Sequence, residues 1–356
     1  MNKVKRLTAK LKVLFAEKVF ERCLNYLSNI LIAKGFNLSI GTRTKENLLV
    51  KNFVLNDSAK SSVYKWCVVF QGKIYDKDFL DYLMETLSRT RLQIPDIALI
   101  VATYEDENFE TLKHFCLAHN IVITTVEDVG SLPHPYPQSI CQQIESSYTG
   151  LKLAQENGFE NSIKIRVDQR IDVLISILMI SQFFEKYPSK GLETKNRIWG
   201  TSYNTYLHRP LALSDMVQFG KTKDLVKYWN RISPSEWHQY TFDLTSRYSN
   251  SNWSNFAMPE TWLAARYLDH LGITLTSPEE ANSIFWENFA GVINSNAVGQ
   301  EWRKTFSWLS TNYHTVKWFT NIYVAKLLEM RFEDWLVIHF YGKSIREKSS
   351  KIILPY

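Results

Sequence analysis

The amino-acid sequence predicts an α/β protein with a mainly parallel sheet and helices on both faces. Two observations lead to this fold class. Short apolar runs alternate with stretches of helical periodicity from about residue 66 to residue 167. The chain has 356 residues, of which 45% are hydrophobic, so it is long enough and apolar enough to bury a substantial core.

The predicted elements follow one another in a regular order. Four apolar runs have the length and composition of buried strands, and three segments with helical spacing separate them. The strands are predicted at 66–70, 97–103, 121–126 and 162–167, and the helices at 78–91, 107–120 and 138–158. Helical crossovers join parallel strands, and such sheets bind ligands beyond the carboxyl ends of their strands.

The N-terminal segment differs from the rest of the chain in charge. Residues 1–60 hold twelve Lys and Arg against four Asp and Glu, a net charge of +8, which leaves −2 for the remainder. Residues 1–33 also have the apolar spacing of an amphipathic helix. This basic helical extension either makes a peripheral contact with an anionic inner membrane or packs on the body. Positive charge confined to one segment argues against a nucleic-acid partner.

Several functional classes are excluded because their motifs are missing. The four cysteines form no CxxC pair, so neither a redox motif nor a cysteine zinc site is expected, and a reducing cytoplasm fits. The segment after the first strand, GKIYDK, has one glycine, which argues against a dinucleotide-binding Rossmann domain and a P-loop. No run of about 20 residues is continuously apolar, so we expect no transmembrane helix.

An unusual charge pattern lies where the fourth predicted strand ends. Arg166, Asp168 and Arg170 occupy alternate residues of NSIKIRVDQRID, and alternate residues of an extended chain share one face. A carboxylate at this place suits a divalent cation that holds a diphosphate, and guanidiniums suit phosphate oxygens. The alternative is a salt bridge in which Asp168 neutralises its neighbours, and spacing alone favours that alternative.

Two more carboxylates stand at the ends of predicted elements. Asp215 is predicted at a strand end, ahead of a helix that opens near Thr222. Glu260 follows Pro259 in the first turn of another predicted helix, since proline suits the first helical position. Glu260 either completes this helix start, where the dipole favours a carboxylate, or serves as a general base that faces a cleft.

The segments KIRVDQRI, LSDMVQFGKTKDL and MPETWLAARYL resemble, in order and spacing, the WavE-type family of lipopolysaccharide synthesis proteins. The resemblance covers about residues 64–272, and more weakly the aromatic C-terminal part. It implies a GT-A-like fold with a nucleotide-sugar-binding sheet. Residues 61–275 would form the catalytic domain, and a mainly helical part, residues 276–356, would complete the acceptor side.

The resemblance also implies an activity and a cofactor. The expected reaction moves a sugar from a nucleotide-sugar donor to a bacterial surface polysaccharide, which is lipopolysaccharide, O-antigen or capsule. A lipid-linked acceptor would explain a basic helix at the cytoplasmic face of the inner membrane. Asp168 would ligate Mg²⁺ or Mn²⁺ on the donor diphosphate. GT-A enzymes usually have two carboxylates in this metal-binding motif, whereas position 166 is Arg here. Arg166 or Arg170 is therefore expected to neutralise part of the charge of the diphosphate.

Roles for further residues follow from the same resemblance. Glu260 is favoured as the base that deprotonates the acceptor, and Asp215 would then bind the donor sugar or the acceptor. Exposed glutamines near the start of the third helix, Gln142 and Gln143, could hydrogen-bond the nucleotide or do nothing specific. The residues expected to bind the donor are Gln71, Gly72, Thr103, Glu105, Gln142, Arg166, Asp168 and Arg170.

Two other functions remain open at the level of sequence. A sugar nucleotidyltransferase uses a similar sheet and acidic metal ligands, but it normally needs a glycine- and basic-rich loop after the first strand. The run VVFQGKIYDK lacks such a loop. A non-catalytic glycan-binding or assembly protein would bind no nucleotide sugar and would tolerate the loss of Asp168.

Overall fold

The computed structural model describes one compact unit, which falls within Val54–Tyr356. The predicted basic helix of residues 1–33 lies outside the described residues. No helix in the described part of the chain is both long and apolar enough to cross a membrane. The described ranges are 65–130, 139–174, 176–178, 187–189, 196–205, 210–247, 259–274, 277–302 and 330–341.

Seven strands of the described residues form one sheet, and two more form a separate ribbon. In chain order the strands are β1 (Trp66–Gln71), β2 (Ala98–Thr103), β3 (Val122–Thr125), β4 (Asn161–Arg166), β5 (Gln169–Ile171), β6 (Ile198–Thr201), β7 (Val217–Lys221), β8 (Ala290–Ile293) and β9 (Gln300–Trp302). The sheet has the order β3-β2-β1-β4-β7-β6-β8, and the ribbon pairs β5 with β9.

Helices connect these strands. They are α1 (Lys77–Gln93), α2 (Phe109–Ala118), α3 (Ile140–Glu156), α4 (Thr222–Tyr228), α5 (Pro234–Arg247), α6 (Pro259–His270), α7 (Pro278–Ile284) and α8 (Phe332–Tyr341). A π-helical turn (Phe285–Phe289) follows α7, and a 3-10 turn (Ser295–Val298) precedes β9. The predicted α/β class is confirmed, and the bounds of the four predicted strands and three predicted helices differ from the observed ones by two residues or fewer.

The centre of the sheet is β1, which pairs in parallel with β2 on one side and β4 on the other. All six residues of β1 are buried, because a strand inside a sheet covered on both faces has no side open to water. Cys67 in this strand is fully buried, as its apolar surroundings in the sequence predict.

Helix α3 lies against β1 and β2 at an unusually close distance, which Gly150 permits. A Cβ at this position would come within 2.4 Å of Val69 Cγ1 and 3.0 Å of the Ala102 Cβ. Any larger residue would push the helix off the sheet. The close packing of α3 fixes the position of its N-terminal turns, which carry Gln142, Gln143 and Ser146.

Strand β7 runs antiparallel to β4, which the sequence pattern does not reveal. The register pairs Ile165 with Val217 and Asn161 with Lys221. The residues just before β7 therefore lie beside the carboxyl end of β4. This places Asp215 at the start of a strand rather than at the carboxyl end of one, yet at the same edge of the sheet as Arg166.

The C-terminal part of the body contributes to the sheet instead of standing apart. β8 pairs in parallel with β6 and closes the sheet on that side. β9 pairs antiparallel with β5, directly after the charged strand end. The described portion of the segment predicted as mainly helical thus supplies two strands as well as helices.

Candidate functional site

The described part of the sheet has a topological switch point between β1 and β4. The chain moves from β1 outwards to β2 and β3, then returns through α3 to β4 on the other side of β1. The connections therefore diverge at the carboxyl ends of β1 and β4, where open α/β sheets bind their ligands. A cleft lies at this place, and its walls come from the end of β1, the start of α3 and the residues after β4.

The turn after β1 forms the floor of this cleft. Gly72 has φ +129°, a conformation that side chains disfavour, and a Cβ there would lie 3.1 Å from Val167 Cγ2. Its N–H donates to the carbonyl of Ala102 over 3.1 Å, and the Thr103 hydroxyl donates to the carbonyl of Gly72 over 2.8 Å. Thr103 is fully buried, so it acts on the cleft through Gly72.

Gln71 presents a buried amide to the same cleft. Its side chain is 1% exposed, and the Ser146 hydroxyl lies 2.7 Å from its Oε1. The amide nitrogen has no hydrogen-bond partner among the described residues. A buried amide atom without a partner is costly, so this atom marks a place where a ligand atom would be stabilised.

Arg166 carries the charge at the end of β4. Its Nε and Nη2 donate to the two carboxylate oxygens of Asp168 over 3.1 and 2.8 Å, and Nη1 lies 3.4 Å from Asp215 Oδ2. Burial alone would lower the pKa of Arg166, but the charges of Asp168 and Asp215 raise it above its ordinary value. The guanidinium is thus a fixed cation, with 22% of its side chain exposed.

Asp215 is held from two sides. The Gln143 amide donates to Asp215 Oδ2, the same oxygen that faces Arg166. Gln143 and Arg166 both line the cleft, whereas Asp215 lies behind them with 7% of its side chain exposed. The sequence allowed Gln143 either a contact with the nucleotide or no specific role. In the structure it connects the cleft wall to Asp215.

Lys164 lies behind this cluster and is fully buried. Its Nζ donates to the backbone carbonyl of Asp215 and stands 4.1 Å from the centre of the Trp229 ring. Burial lowers the pKa of Lys164 to about 7, and the negative charge of Asp215 opposes this shift. A buried lysine on the strand that carries Arg166 was not predicted, although its position two residues before Arg166 in SIKIRV indicates the same face.

Glu260 is positioned by a helix start and by a strained loop residue. It follows Pro259 at the beginning of α6, as predicted, and is 8% exposed. The Asn204 amide donates to Glu260 Oε1 over 2.9 Å, and Asn204 has φ 64°, a left-handed conformation that asparagine tolerates. The charge of Glu260 acts on both Lys164 and Arg166, so its carboxylate belongs to the same electrostatic cluster.

Arg170 and Glu105 lie outside the cleft wall. The chain turns after β4, so Arg170 enters β5 and forms ion pairs with Glu301, with Asp172 over 3.3 Å and with Glu85 over 3.5 Å. Glu105 is exposed. Gln142 does line the cleft, and its amide donates to Asp128 Oδ1 over 2.9 Å.

The sequence also gave no role to Lys73. This exposed lysine follows Gly72 and lines the same cleft as Arg166. Of the charged residues in the cleft wall, Lys73 and Arg166 are cations and Asp168 is an anion. The wall therefore carries a net positive charge, which suits an anionic ligand.

The family resemblance implies a divalent ion at Asp168, which would need several ligating side chains close together. In the described ranges no three His, Cys, Asp or Glu side chains form a group able to hold a metal ion. Both oxygens of Asp168 already accept hydrogen bonds from the Arg166 guanidinium. These residues fit a carboxylate–guanidinium pair and do not fit a Mg²⁺ or Mn²⁺ site.

Comparison with solved structures gives only distant likenesses. A cytidylyltransferase from Leptospira borgpetersenii is 12% identical, with 48% of this chain and 67% of that chain covered and a TM-score of 0.31. A galactosyltransferase, LgtC, in complex with donor and acceptor sugar analogues is 12% identical, with 56% and 70% covered and a TM-score of 0.33. A candidate nucleotide-diphospho-sugar transferase from Desulfovibrio desulfuricans G20 is 8% identical, with 47% and 68% covered and a TM-score of 0.29. TM-scores this low transfer neither a residue role nor an activity to this chain.

The comparison of whole sequences gives a clearer result. None of the curated proteins matches the chain. The model of the family described as WavE lipopolysaccharide synthesis, however, matches residues 67–353. This span is well over half of the chain, contains both walls of the cleft and confirms the resemblance predicted from three short segments. The chain therefore belongs to the WavE lipopolysaccharide synthesis family.

Proposed function

We propose that this protein is a glycosyltransferase that moves a sugar from a nucleotide-sugar donor to a bacterial surface polysaccharide acceptor. The observation that carries the proposal is the cleft at the switch point between β1 and β4. Two cations, Arg166 and Lys73, line it, and the carboxylates of Asp168 and Asp215 contact Arg166. A nucleotide diphosphate with an attached sugar offers negative charge to the cations and hydroxyls to the carboxylates.

The donor would lie along the carboxyl edge of the sheet. Arg166 and Lys73 both line the cleft and are assigned to the diphosphate. The buried amide of Gln71 is placed to hydrogen-bond the base or ribose, since it lies next to the turn at Gly72 where the backbone can approach closely. Tyr104, whose hydroxyl donates to the carbonyl of Gln142 over 2.5 Å, adds an aromatic wall.

The chemistry needs one base and one stabiliser of the leaving group. Glu260 removes the proton from the acceptor hydroxyl, whose oxygen forms the new bond to the anomeric carbon while the bond to the nucleoside diphosphate breaks. Arg166 compensates the charge that develops on the departing diphosphate. Asp215 is assigned to the donor side of the cleft, where it acts through its partners Gln143 and Arg166, which line the cleft.

The choice of Glu260 as the base rests on its place in the first turn of α6, next to the cluster of Arg166 and Lys164. The Asn204 amide, which donates to Glu260 Oε1, helps to orient the carboxylate. Asp215 is instead engaged with Arg166 and Gln143, which both line the cleft.

The acceptor class follows from the family and from the charge of the N-terminal segment. Lipopolysaccharide, O-antigen and capsule precursors are surface glycans whose lipid-linked forms are assembled at an anionic membrane face. The net charge of +8 over residues 1–60 supports a peripheral contact with such a surface. This contact predicts that removal of residues 1–33 weakens binding to anionic vesicles.

A thermal-shift panel tests the donor. Wild-type protein is mixed with nucleoside diphosphates and nucleotide sugars, because a ligand of the folded state raises Tm by mass action. One nucleotide class should raise Tm, and the shift should disappear in Asp168→Ala. Assay of the products then separates the enzyme classes, since glycosyl transfer releases a nucleoside diphosphate and nucleotidyl transfer releases pyrophosphate. Absence of any shift across the panel would contradict both activities and favour a glycan-binding or assembly role.

A further inference from the structure

The positive charge between Asp168 and Asp215 is supplied by a side chain. Asp168 and Asp215 stand on two sides of the Arg166 guanidinium, which contacts both carboxylates. Two carboxylates that converge on one point form a cation site, and the cation at this point is covalently part of the protein.

We propose that Arg166 is the resident cation of the donor site and that donor binding needs no metal ion. The inference rests on the proposed function for the identity of the ligand, a nucleoside diphosphate. It extends that function by assigning the neutralisation of the diphosphate to Arg166 and Lys73.

The hydrogen-bonding capacity of Arg166 supports this assignment. A guanidinium has five N–H groups. Its contacts to Asp168 and Asp215 use three of them, one on Nε, one on Nη2 and one on Nη1. Two N–H groups remain for phosphate oxygens, and the side chain is 22% exposed while the carboxylates of Asp168 and Asp215 are 4% and 7% exposed. A ligand that enters the cleft therefore reaches the guanidinium more easily than the two carboxylates.

The two carboxylates have a different task in this arrangement. They hold the guanidinium in one orientation, since the contact with Asp168 is bidentate and that with Asp215 comes from the opposite end of the group. Gln143 in turn holds Asp215. Arg166 is thus oriented before the ligand arrives, which lowers the entropy lost on binding.

Charge balance within the cleft agrees with a metal-free site. With Lys73, the lining has two cations and one anion, Asp168. Arg170, the other guanidinium of the motif, is committed to Glu301, Asp172 and Glu85 outside the cleft. The neutralising charge therefore comes from Arg166 and Lys73 and not from the pair of arginines that spacing suggests.

The inference predicts that a metal site appears when the resident cation is removed. Mn²⁺ binding is followed by the loss of the free-ion signal in electron paramagnetic resonance, without any nucleotide. Wild type should bind Mn²⁺ no more tightly than its Asp168→Asn variant does. Arg166→Ala should bind Mn²⁺ at least about tenfold more tightly than wild type. The double variant Arg166→Ala with Asp168→Asn should lose this gain, and Arg166→Lys should resemble wild type.

Two results would overturn the inference. One is wild-type Mn²⁺ binding that Asp168→Asn removes, and the other is an Arg166→Ala variant that binds no more Mn²⁺ than wild type. If Arg166→Ala does not fold, Arg166→Gln replaces it, and its folding is checked by circular dichroism.

Nucleotide binding provides the second readout. Nucleoside diphosphate affinity of the wild type should be the same after dialysis against EDTA as in the presence of Mn²⁺, and an affinity that needs Mn²⁺ would overturn the inference. A wild type that binds no nucleotide under either condition would instead contradict the proposed function, while the Mn²⁺ titrations would still decide whether Arg166 occupies a cation site.

Discussion

Arg166 and Arg170 lie four residues apart, and each contacts more than one carboxylate, yet they serve different parts of the molecule. Arg166 ends β4 and faces the cleft between Asp168 and Asp215. Arg170 belongs to the β5–β9 ribbon and joins it to α1 through Glu301 and Glu85. The turn at residues 167 and 168 separates the two environments.

The difference indicates that a charged cluster is available to a ligand only when part of it faces a cleft, and otherwise serves to connect segments of the chain. The Arg166 cluster opens on a cleft lined by Lys73 and by Gln71, whose amide nitrogen has no partner among the described residues. The Arg170 cluster instead pairs with residues of three separate segments and connects them. If this division is right, substitutions in the Arg166 cluster should impair ligand binding or transfer, and substitutions in the Arg170 cluster should impair stability.

The largest effect is expected at Glu260, the proposed base. Glu260→Gln keeps the shape and the hydrogen bond with Asn204 but removes the basic carboxylate. Transfer should fall by about 100-fold or more, the usual contribution of a general base, while nucleotide affinity stays near that of the wild type. The assay follows sugar transfer to a membrane extract. A variant that transfers normally would pass the role of base to Asp215, and Asp215→Asn is the matched control.

The second prediction compares the two arginines directly in a binding experiment. Arg166→Ala removes charge-assisted hydrogen bonds to phosphate, which contribute about 1.5–3 kcal/mol each, so nucleoside diphosphate affinity in EDTA should fall about 100-fold. Arg170→Ala should change it less than about threefold. Isothermal titration calorimetry measures both. Equal losses in the two variants would mean that the clusters form one site.

The third prediction reverses the comparison by measuring stability. Arg170→Ala leaves the poorly exposed Glu301 and Asp172 without their cation and disconnects the ribbon from α1. The free energy of unfolding should fall by about 2–3 kcal/mol, which corresponds to a decrease in Tm of about 5 °C. Scanning calorimetry provides the measurement. Arg89→Ala is a suitable control, since it removes an exposed i,i+4 pair with Glu85 that should contribute well under 1 kcal/mol.

The smallest effect concerns pH and distinguishes the lysine of the cleft cluster from both arginines. The pKa of Lys164 in the folded state is lowered to about 7 from 10.5. Between these values the unfolded chain binds more protons than the folded protein, so this residue makes stability rise with pH. The free energy of unfolding begins to rise near pH 7. Below this pH the buried Lys164 is protonated, and burial of its charge destabilises the folded state. Tm of the wild type, measured from pH 7 to pH 9, should therefore rise relative to that of Lys164→Met. Parallel curves would show that Lys164 has an ordinary pKa.

Much of the fold was predictable because its first half is locally consistent. Strands β1 to β4 are short apolar runs, and α1 to α3 have helical spacing, so periodicity alone finds them within two residues. The second half was not resolved in this way. Strands β6 and β8 have four residues each and β9 has three, too few for a period to become evident.

The candidate site was predictable only in part. Gln71, Gly72, Gln142, Arg166 and Asp168 were named from strand ends and from family resemblance, and all five line the cleft. Arg170 was named by the same spacing argument and lies elsewhere, because the chain turns after Asp168 instead of continuing as a strand. Their roles in binding stay predictions until the variants above are measured.

The sequence by itself determined the central strands, the charged end of β4 and the family, because these depend on residues close together in the chain. Only the tertiary structure decided which distant residues join Arg166. Asp215 reaches it because β7 is antiparallel to β4, and Lys164, which is fully buried, has its Nζ 4.1 Å from the centre of the Trp229 ring. The direction of a strand and the identity of its neighbours are set by packing across the whole sheet, so the local pattern of one segment does not reveal them.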